Sequence, residues 1–248
     1  MHANAVIVAA GKGERLGTRV PKPFLPVAEL PLLVHTLRSL DRARLLSSLV
    51  VVVAPEREAL CRELLNAHGP FRSAIRLTHG GPQRQDSVRL GLAALDAECD
   101  IVVIHDAARP FISPDVIHAS IRVASQAGAA LVAVPAADTL KRVEQVDDET
   151  PLSTESSLIS PVRTVVETLS RQDVWLAQTP QTFRVPLIRA AHQRALDEAI
   201  QVTDDAALIE KFGGTVQIVP GERRNFKITT PDDLRMAEAL LSAHASER

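Results

Sequence analysis

Six short runs of β-branched and other apolar residues recur along the chain, at 5–9, 48–54, 74–78, 101–105, 129–134 and 215–219, and most of them are apolar without interruption. A strand covered on one face alternates apolar and polar positions, whereas an unbroken run suits a strand buried on both faces. Between these runs lie stretches with helical spacing of apolar positions, at 32–40, 56–67, 85–96, 115–126, 185–199 and 205–212. Ser113-Pro114-Asp115 and Thr230-Pro231-Asp232-Asp233 each supply a capping hydroxyl, a proline for the first turn and early acids, the signature of a helix start. The alternation predicts one α/β domain spanning residues 1–248, with a mostly parallel sheet and helices on both faces.

One segment, 138–178, breaks the alternation. Short β-like pieces at 139–143 and 163–167 flank a polar, structureless stretch, 144–160, rich in Asp, Glu, Ser and Thr. This pattern predicts a projecting β-arm or hairpin. No internal repeat is present.

Composition narrows the function classes. The 28 Lys and Arg nearly balance the 30 Asp and Glu, leaving a formal charge of −2, so any anion site is local and a nucleic-acid partner is not expected. Aromatics make up 3%, too few for base-stacking platforms. Cys61 and Cys99 have no second Cys or His at ligand spacing, which predicts neither a disulfide framework nor a zinc site and fits a reducing compartment. No export signal or membrane span is read, so the expected location is the cytoplasm.

The candidate chemistry lies where apolar runs end. The first run enters Ala10-Gly11-Lys12-Gly13-Glu14-Arg15-Leu16-Gly17, and a glycine turn at a strand's carboxyl end lets backbone N–H groups approach phosphate oxygens. Its G-x-G-x-x-x-G spacing departs from the dinucleotide fingerprint, and Thr18 stands where a Walker loop needs Lys. Lys22 follows inside Pro21-Lys22-Pro23-Phe24-Leu25-Pro26, whose prolines are expected to exclude a helix and hold an extended loop. A second glycine turn, Gly80-Gly81, leads into a helix with Arg84 and Ser87 on one face, placed to read a base or a phosphate.

The run 101–105 delivers Asp106 and Arg109 to its carboxyl edge. Asp106 is the candidate divalent-metal ligand, because Mg²⁺ is commonly held by one or two carboxylates plus substrate phosphates. His105 reads as a packed strand residue. Lys227 is expected on a short strand, 225–229, before the last helix, where it can face the same crevice.

Six motifs occur in order: Ala9-Ala10-Gly11-x-Gly13-x-Arg15-Leu16-Gly17 with Pro21-Lys22; Gly80-Gly81-x-x-Arg84-x-x-Ser87-Val88; His105-Asp106-Ala107-Ala108-Arg109-Pro110; Thr179-Pro180-Gln181-x-Phe183; Thr203-Asp204-Asp205-Ala206; and Asn225-x-Lys227-Ile228-Thr229-Thr230-Pro231. Together, nearly end to end, the chain resembles the 2-C-methyl-D-erythritol 4-phosphate cytidylyltransferase family. The resemblance implies a Rossmann-like fold, a homodimer formed through the arm, and Mg²⁺-dependent transfer of CMP from CTP to a polyol phosphate, methylerythritol phosphate. It implies that Arg15, Lys22 and Lys227 are catalytic, and that Ala9, Ala10, Gly11, Gly13, Gly81, Arg84, Ser87 and Ala107 contact CTP. Asp106 would hold the metal; Arg109 and Thr139 of one subunit, with Arg171 and Thr179 of the partner's arm, would hold the polyol phosphate.

The chemistry agrees with those residue types, since transfer between two phosphates requires positioning and charge stabilisation and no general base. Two departures stand out. Glu222-Arg223-Arg224 occupies the place where the family commonly carries an acid near the metal, and Pro82 in the cytidine loop has no N–H. A ribitol 5-phosphate cytidylyltransferase, sharing the CTP motifs, and a non-catalytic CTP sensor remain as alternatives. A nicotinamide-dependent oxidoreductase is disfavoured by the glycine spacing.

Overall fold

A computed structural model describes residues 1–11, 20–145 and 163–246. The elements run β1 (Ala3–Val8), β2 (Pro26–Val27), β3 (Leu30–Pro31), α1 (Leu32–Asp41), β4 (Leu46–Val53), α2 (Glu58–His68), β5 (Ala74–His79), α3 (Arg84–Ala93), β6 (Ile101–Asp106), α4 (Pro114–Ala127) and β7 (Ala129–Pro135). They continue with β8 (Leu140–Gln145), β9 (Arg163–Leu169), β10 (Trp175–Arg184), α5 (Val185–Asp197), α6 (Ala206–Lys211), β11 (Gln217–Pro220) and α7 (Pro231–Ser246). Two compact units result, one of Met1–Ala133 with Ala177–Arg248, the other Val134–Leu176.

The first unit is built on a seven-stranded sheet in the order β11-β7-β10-β6-β1-β4-β5. β1 pairs in parallel with β4 and β6, β4 with β5, and β7 with β11, while β10 runs antiparallel to β6. The unbroken apolar runs are explained by the pleat, because successive side chains serve different cores. Leu49, Val51 and Val53 of β4 enter one cluster with Leu33, Leu37, Ile117 and Ile121 from α1 and α4. Val50 and Val52 enter the other with Val88 and Leu92 from α3 and Ile188 from α5. α3 reaches its face of the sheet through Gly91, where an added Cβ would stand 2.5 Å from Val6 Cγ1 and 2.9 Å from Val52 Cγ2.

Helix starts follow their sequence signals. Ser113 Oγ accepts from the Val116 N–H at 3.4 Å, and Thr230 and Asp233 exchange hydrogen bonds around the first turn of α7.

Three expectations are corrected. The proline-rich segment at Lys22 forms one 3₁₀ turn, Lys22–Phe24, flanked by extended Pro21 and Leu25; a single turn leaves its first N–H groups unpaired in any case, so prolines fit. Residues 225–229 form no strand: the Ile228 N–H bonds across to the Ala108 carbonyl at 2.9 Å, while the Asn225 N–H turns back to the Glu222 carbonyl and the Thr229 N–H donates to the Asp233 side chain. β10 is an additional strand. Its Gln178, Thr179, Gln181 and Thr182 carry no apolar strand pattern in the sequence, yet they are buried and hydrogen-bonded inside the unit.

The second unit contains the antiparallel pair β8 and β9, in register from Leu140 opposite Leu169 to Gln145 opposite Arg163. Glu144 and Gln145, expected in the structureless stretch, belong to β8; residues 146–160 of that stretch lie outside the described residues. Val143, Val165, Val166, Leu169, Trp175 and Leu176 of this unit are exposed.

Candidate active site

Four neighbouring parallel strands, β5, β4, β1 and β6, end on the same edge of the sheet, so the turns that follow them converge. Backbone hydrogen bonds join these turns: Ala9 N–H to the Val52 carbonyl (2.8 Å), Gly80 N–H to Val53 (2.8 Å) and Ala107 N–H to Val8 (3.2 Å). The cleft they enclose has a volume of about 880 Å³. Ala9, Ala10, Gly11, Lys22, Gly81, Arg84, Ser87, Asp106, Ala107 and Lys227 all line it. A larger hollow, about 1470 Å³, lies against α1 and carries none of the candidate residues. Gly13 and Arg15 fall outside the described residues.

The second glycine turn is compact because Gly80 packs where a Cβ would stand 2.5 Å from Ala10 Cβ and 2.8 Å from Ser87 Oγ. The Gly81 N–H donates to Ser87 Oγ at 3.2 Å, so Ser87 ties the turn to α3. The α3 N-terminus is closed by a capping box between Gln83 and Asp86.

Asp106 is the electrostatic centre. Its carboxylate meets Lys227 Nζ at 2.8 Å and Arg84 Nε at 3.4 Å, and it is 7% exposed. Burial by itself would raise its pKa, but the Arg84 charge, followed by that of Lys227, holds the carboxyl well below the usual range. Arg84 also donates through Nη1 to Asp205 Oδ2 at 2.8 Å, and the two carboxylates raise its pKa against the opposing effect of burial.

Behind Asp106 runs a hydrogen-bonded chain whose direction follows from donor chemistry. His105 is buried, which lowers its pKa to about 4, so its ring is neutral at pH 7. Nε2 lies 3.0 Å from the Arg109 carbonyl, which only accepts; Nε2 therefore carries the proton. Nδ1 accepts from the Thr179 hydroxyl (3.0 Å), and that hydroxyl accepts from the Asp106 N–H (3.1 Å). Thr179 thus lies in the first unit and outside the arm, with its hydroxyl engaged by protein groups.

Arg109 does not line the cleft. Its Nη1 donates to the Asn225 carbonyl at 2.7 Å, while its buried Nε has no hydrogen-bond partner among the described residues. Thr139 and Arg171 both belong to the second unit, where Arg171 Nη1 donates to the Ala137 carbonyl. Glu222 accepts from Ser113 Oγ (3.0 Å) and pairs with Arg224 Nε (2.7 Å), and it is not among the residues lining the Asp106 cleft.

Residue reasoning left three groups without a role. Asp205 pairs with Arg84; Gln181 holds Asp205; Asn225, fully buried, donates to Gln178 Oε1 (3.0 Å) and the Thr179 carbonyl (2.8 Å), fixing the loop that carries Lys227. Each belongs to one of the six family motifs, and only the fold shows which partner it meets.

The family model for 2-C-methyl-D-erythritol 4-phosphate cytidylyltransferase matches residues 3–243. The chain belongs to this family. A member from Geotalea uraniireducens is 42% identical across the full length of both chains, and one from Syntrophotalea carbinolica is 43% identical over 97% of each. The cytidylyltransferase of Thermus thermophilus superposes with a TM-score of 0.74 at 32% identity, covering 98% of this chain and all of that one. The 4-diphosphocytidyl-2C-methyl-D-erythritol synthase of Anaerococcus prevotii superposes with a TM-score of 0.79 at 30% identity, covering 97% and 96%. The cytidylyltransferase family therefore accounts for the order of the motifs and for the mostly parallel α/β sheet together.

Proposed function

We propose that this chain transfers CMP from CTP to 2-C-methyl-D-erythritol 4-phosphate, giving 4-diphosphocytidyl-2-C-methyl-D-erythritol and pyrophosphate in non-mevalonate isoprenoid synthesis. The observation that carries this reading is the convergence of Lys22, Arg84, Ser87, Asp106 and Lys227 on one cleft between two glycine turns, in a member of this family. An oxygen of the acceptor phosphate attacks the α-phosphorus of CTP, and the α–β bridging oxygen leaves with pyrophosphate. The attacking group is already an anion, so the protein's task is to hold two anions in line and to stabilise the charge that develops.

Lys22 and Lys227 supply positive charge at the reacting phosphates, joined by Arg15 from the glycine turn. Ala9, Ala10, Gly11, Gly81 and Ala107 offer backbone close to the nucleotide, with Arg84 and Ser87 on the α3 side; Gly13 is assigned to it by its motif position alone. Arg109, outside the lining of the Asp106 cleft, is assigned to the acceptor phosphate by its motif position alone.

The residues present fit Mg²⁺. Asp106 presents one hard carboxylate beside the cationic rim, and no cluster of three or more His, Cys, Asp or Glu occurs among the described residues, so a triphosphate would supply most ligands. When bound, the ion would neutralise phosphate charge. Asp106 would hold the ion, beside Lys227, whose charge would serve the nucleotide.

The second unit exposes six large apolar side chains, an area that suits a second copy of the chain. In the dimer so formed, Thr139 and Arg171 would serve the acceptor phosphate. The site of action would be the cytoplasm, where the two buried thiols, pushed up to about 11 by burial, stay protonated.

Pyrophosphate release from CTP and Mg²⁺ tests the reading, with methylerythritol 4-phosphate, ribitol 5-phosphate and no acceptor in parallel. Release with methylerythritol phosphate alone is expected. Release with ribitol phosphate alone, or with neither, would overturn the assigned acceptor or the catalysis.

A further inference from the structure

Asp205 is 1% exposed and stands at the start of α6, and its surroundings leave it little freedom. Gln181 Oε1 accepts from both the Asp205 N–H (2.9 Å) and the Ala206 N–H (3.0 Å), while Gln181 Nε2 donates to Asp204 Oδ2 (3.1 Å). The two carboxylate oxygens have separate tasks. Oδ1 faces Nε2 of buried His192 at 3.2 Å, and because a carboxylate only accepts, that nitrogen is the donor. Oδ2 receives Arg84 Nη1 at 2.8 Å.

Arg84 is therefore held between two acids of different standing. Its bond to Asp205 is short, and its contact with Asp106 is long, at 3.4 Å. Asp106 is shared with Lys227 and is the carboxylate assigned to a cation. Asp205 is committed to the interior by Gln181 and His192. A buried ion pair adds little net stability relative to apolar packing, so its geometry matters more than its strength.

Resting on the nucleotide-binding reading above, we propose that Asp205, fixed by Gln181 and His192, is a positioning residue that keeps the Arg84 guanidinium in the cleft for CTP when Asp106 holds a cation. Asp205 never touches the nucleotide; it acts through Arg84. The Asp205 carboxylate reaches α3 through Arg84, so its effect on the cleft must vanish when Arg84 can no longer pair.

Calorimetric titration of CTP into the full chain tests this, using D205N, R84Q and the double variant. D205N is expected to raise the Kd for CTP roughly tenfold or more, the scale of one lost charge-assisted partner. In the R84Q background the same substitution is expected to change Kd less than twofold. An equal loss in both backgrounds, or an unchanged Kd in D205N, would overturn the proposal. If D205N does not fold, the side-chain nitrogen resonances of Arg84 in the unaltered protein decide, with R84K used to assign them. Slow guanidinium rotation that persists when CTP and Mg²⁺ are added supports the anchor, and averaging of those signals overturns it. Failure of the unaltered protein to bind CTP would instead defeat the functional reading.

Discussion

Lys227 shows how the protein places a cation at a carboxyl edge that also needs an acid. Its ammonium pairs with Asp106 at 2.8 Å, and its loop is held by Asn225, which is fully buried against β10. Lys227→Ala leaves Asp106 paired with Arg84, so the fold should tolerate it. The expected result is a fall in kcat of about 10²–10³, the usual scale for removing one charge-stabilising donor, with a melting temperature within a few degrees of the parent. Lys22→Ala should behave alike. Steady-state pyrophosphate assays with thermal melts check both, and unchanged kcat would remove that lysine from the catalytic set. His105 illustrates a role that its residue type alone conceals. Its neutral ring links Asp106, through Thr179, to the Arg109 carbonyl, and the lone histidine of the strand is a spacer between two site residues.

Among elements, α3 matters most to the site, because it carries Arg84 and Ser87 and lies flush on the sheet. That contact depends on Gly91. Alanine there gains about 1 kcal/mol of helix propensity but must displace Val6 and Val52, two stiff β-branched side chains, at a cost of about 1–3 kcal/mol. Overpacking wins on those magnitudes, so Gly91→Ala should destabilise the protein by about 1 kcal/mol. It should also weaken CTP binding by shifting the α3 N-terminus. Urea unfolding and CTP titration measure the two effects, and a gain in stability would show that the sheet yields. β10 has the complementary role. Its buried Gln178, Thr179 and Gln181 each hold a segment that carries a site residue, which is why a polar strand lies within an apolar sheet.

At the scale of the whole molecule, a chain of net charge −2 collects its cations locally: Lys22, Arg84 and Lys227 share one cleft with the carboxylate of Asp106. The second unit carries Thr139 and Arg171, and the Arg171 guanidinium is bonded to the Ala137 carbonyl. If the dimer shares its sites, Arg171→Ala should raise the KM for the polyol phosphate at least tenfold and leave that for CTP within about twofold, the loss of one bidentate anion contact. Mixing Arg171→Ala with Lys22→Ala protein should restore part of the activity, since one site of each mixed dimer is then intact. No recovery on mixing would place Arg171 with its own subunit's site or outside it.

The layered α/β architecture was legible in the linear chain, because a sheet buried on both faces demands unbroken apolar runs and helices leave a 3.6-residue period and caps. So was most of the cleft, since glycine turns and charged residues at the ends of parallel strands are brought to one edge by the topology itself. The polar strand β10 and the partners of Asp205 and Asn225 were not legible. Their burial depends on hydrogen bonds between residues far apart in sequence, such as Arg84 with Asp205 across 121 positions. The 3₁₀ turn at Lys22 and the open loop at Lys227 are likewise settled by what packs around them. Apolar periodicity records which faces are covered; which buried polar group meets which partner is decided only when the chain has closed on itself.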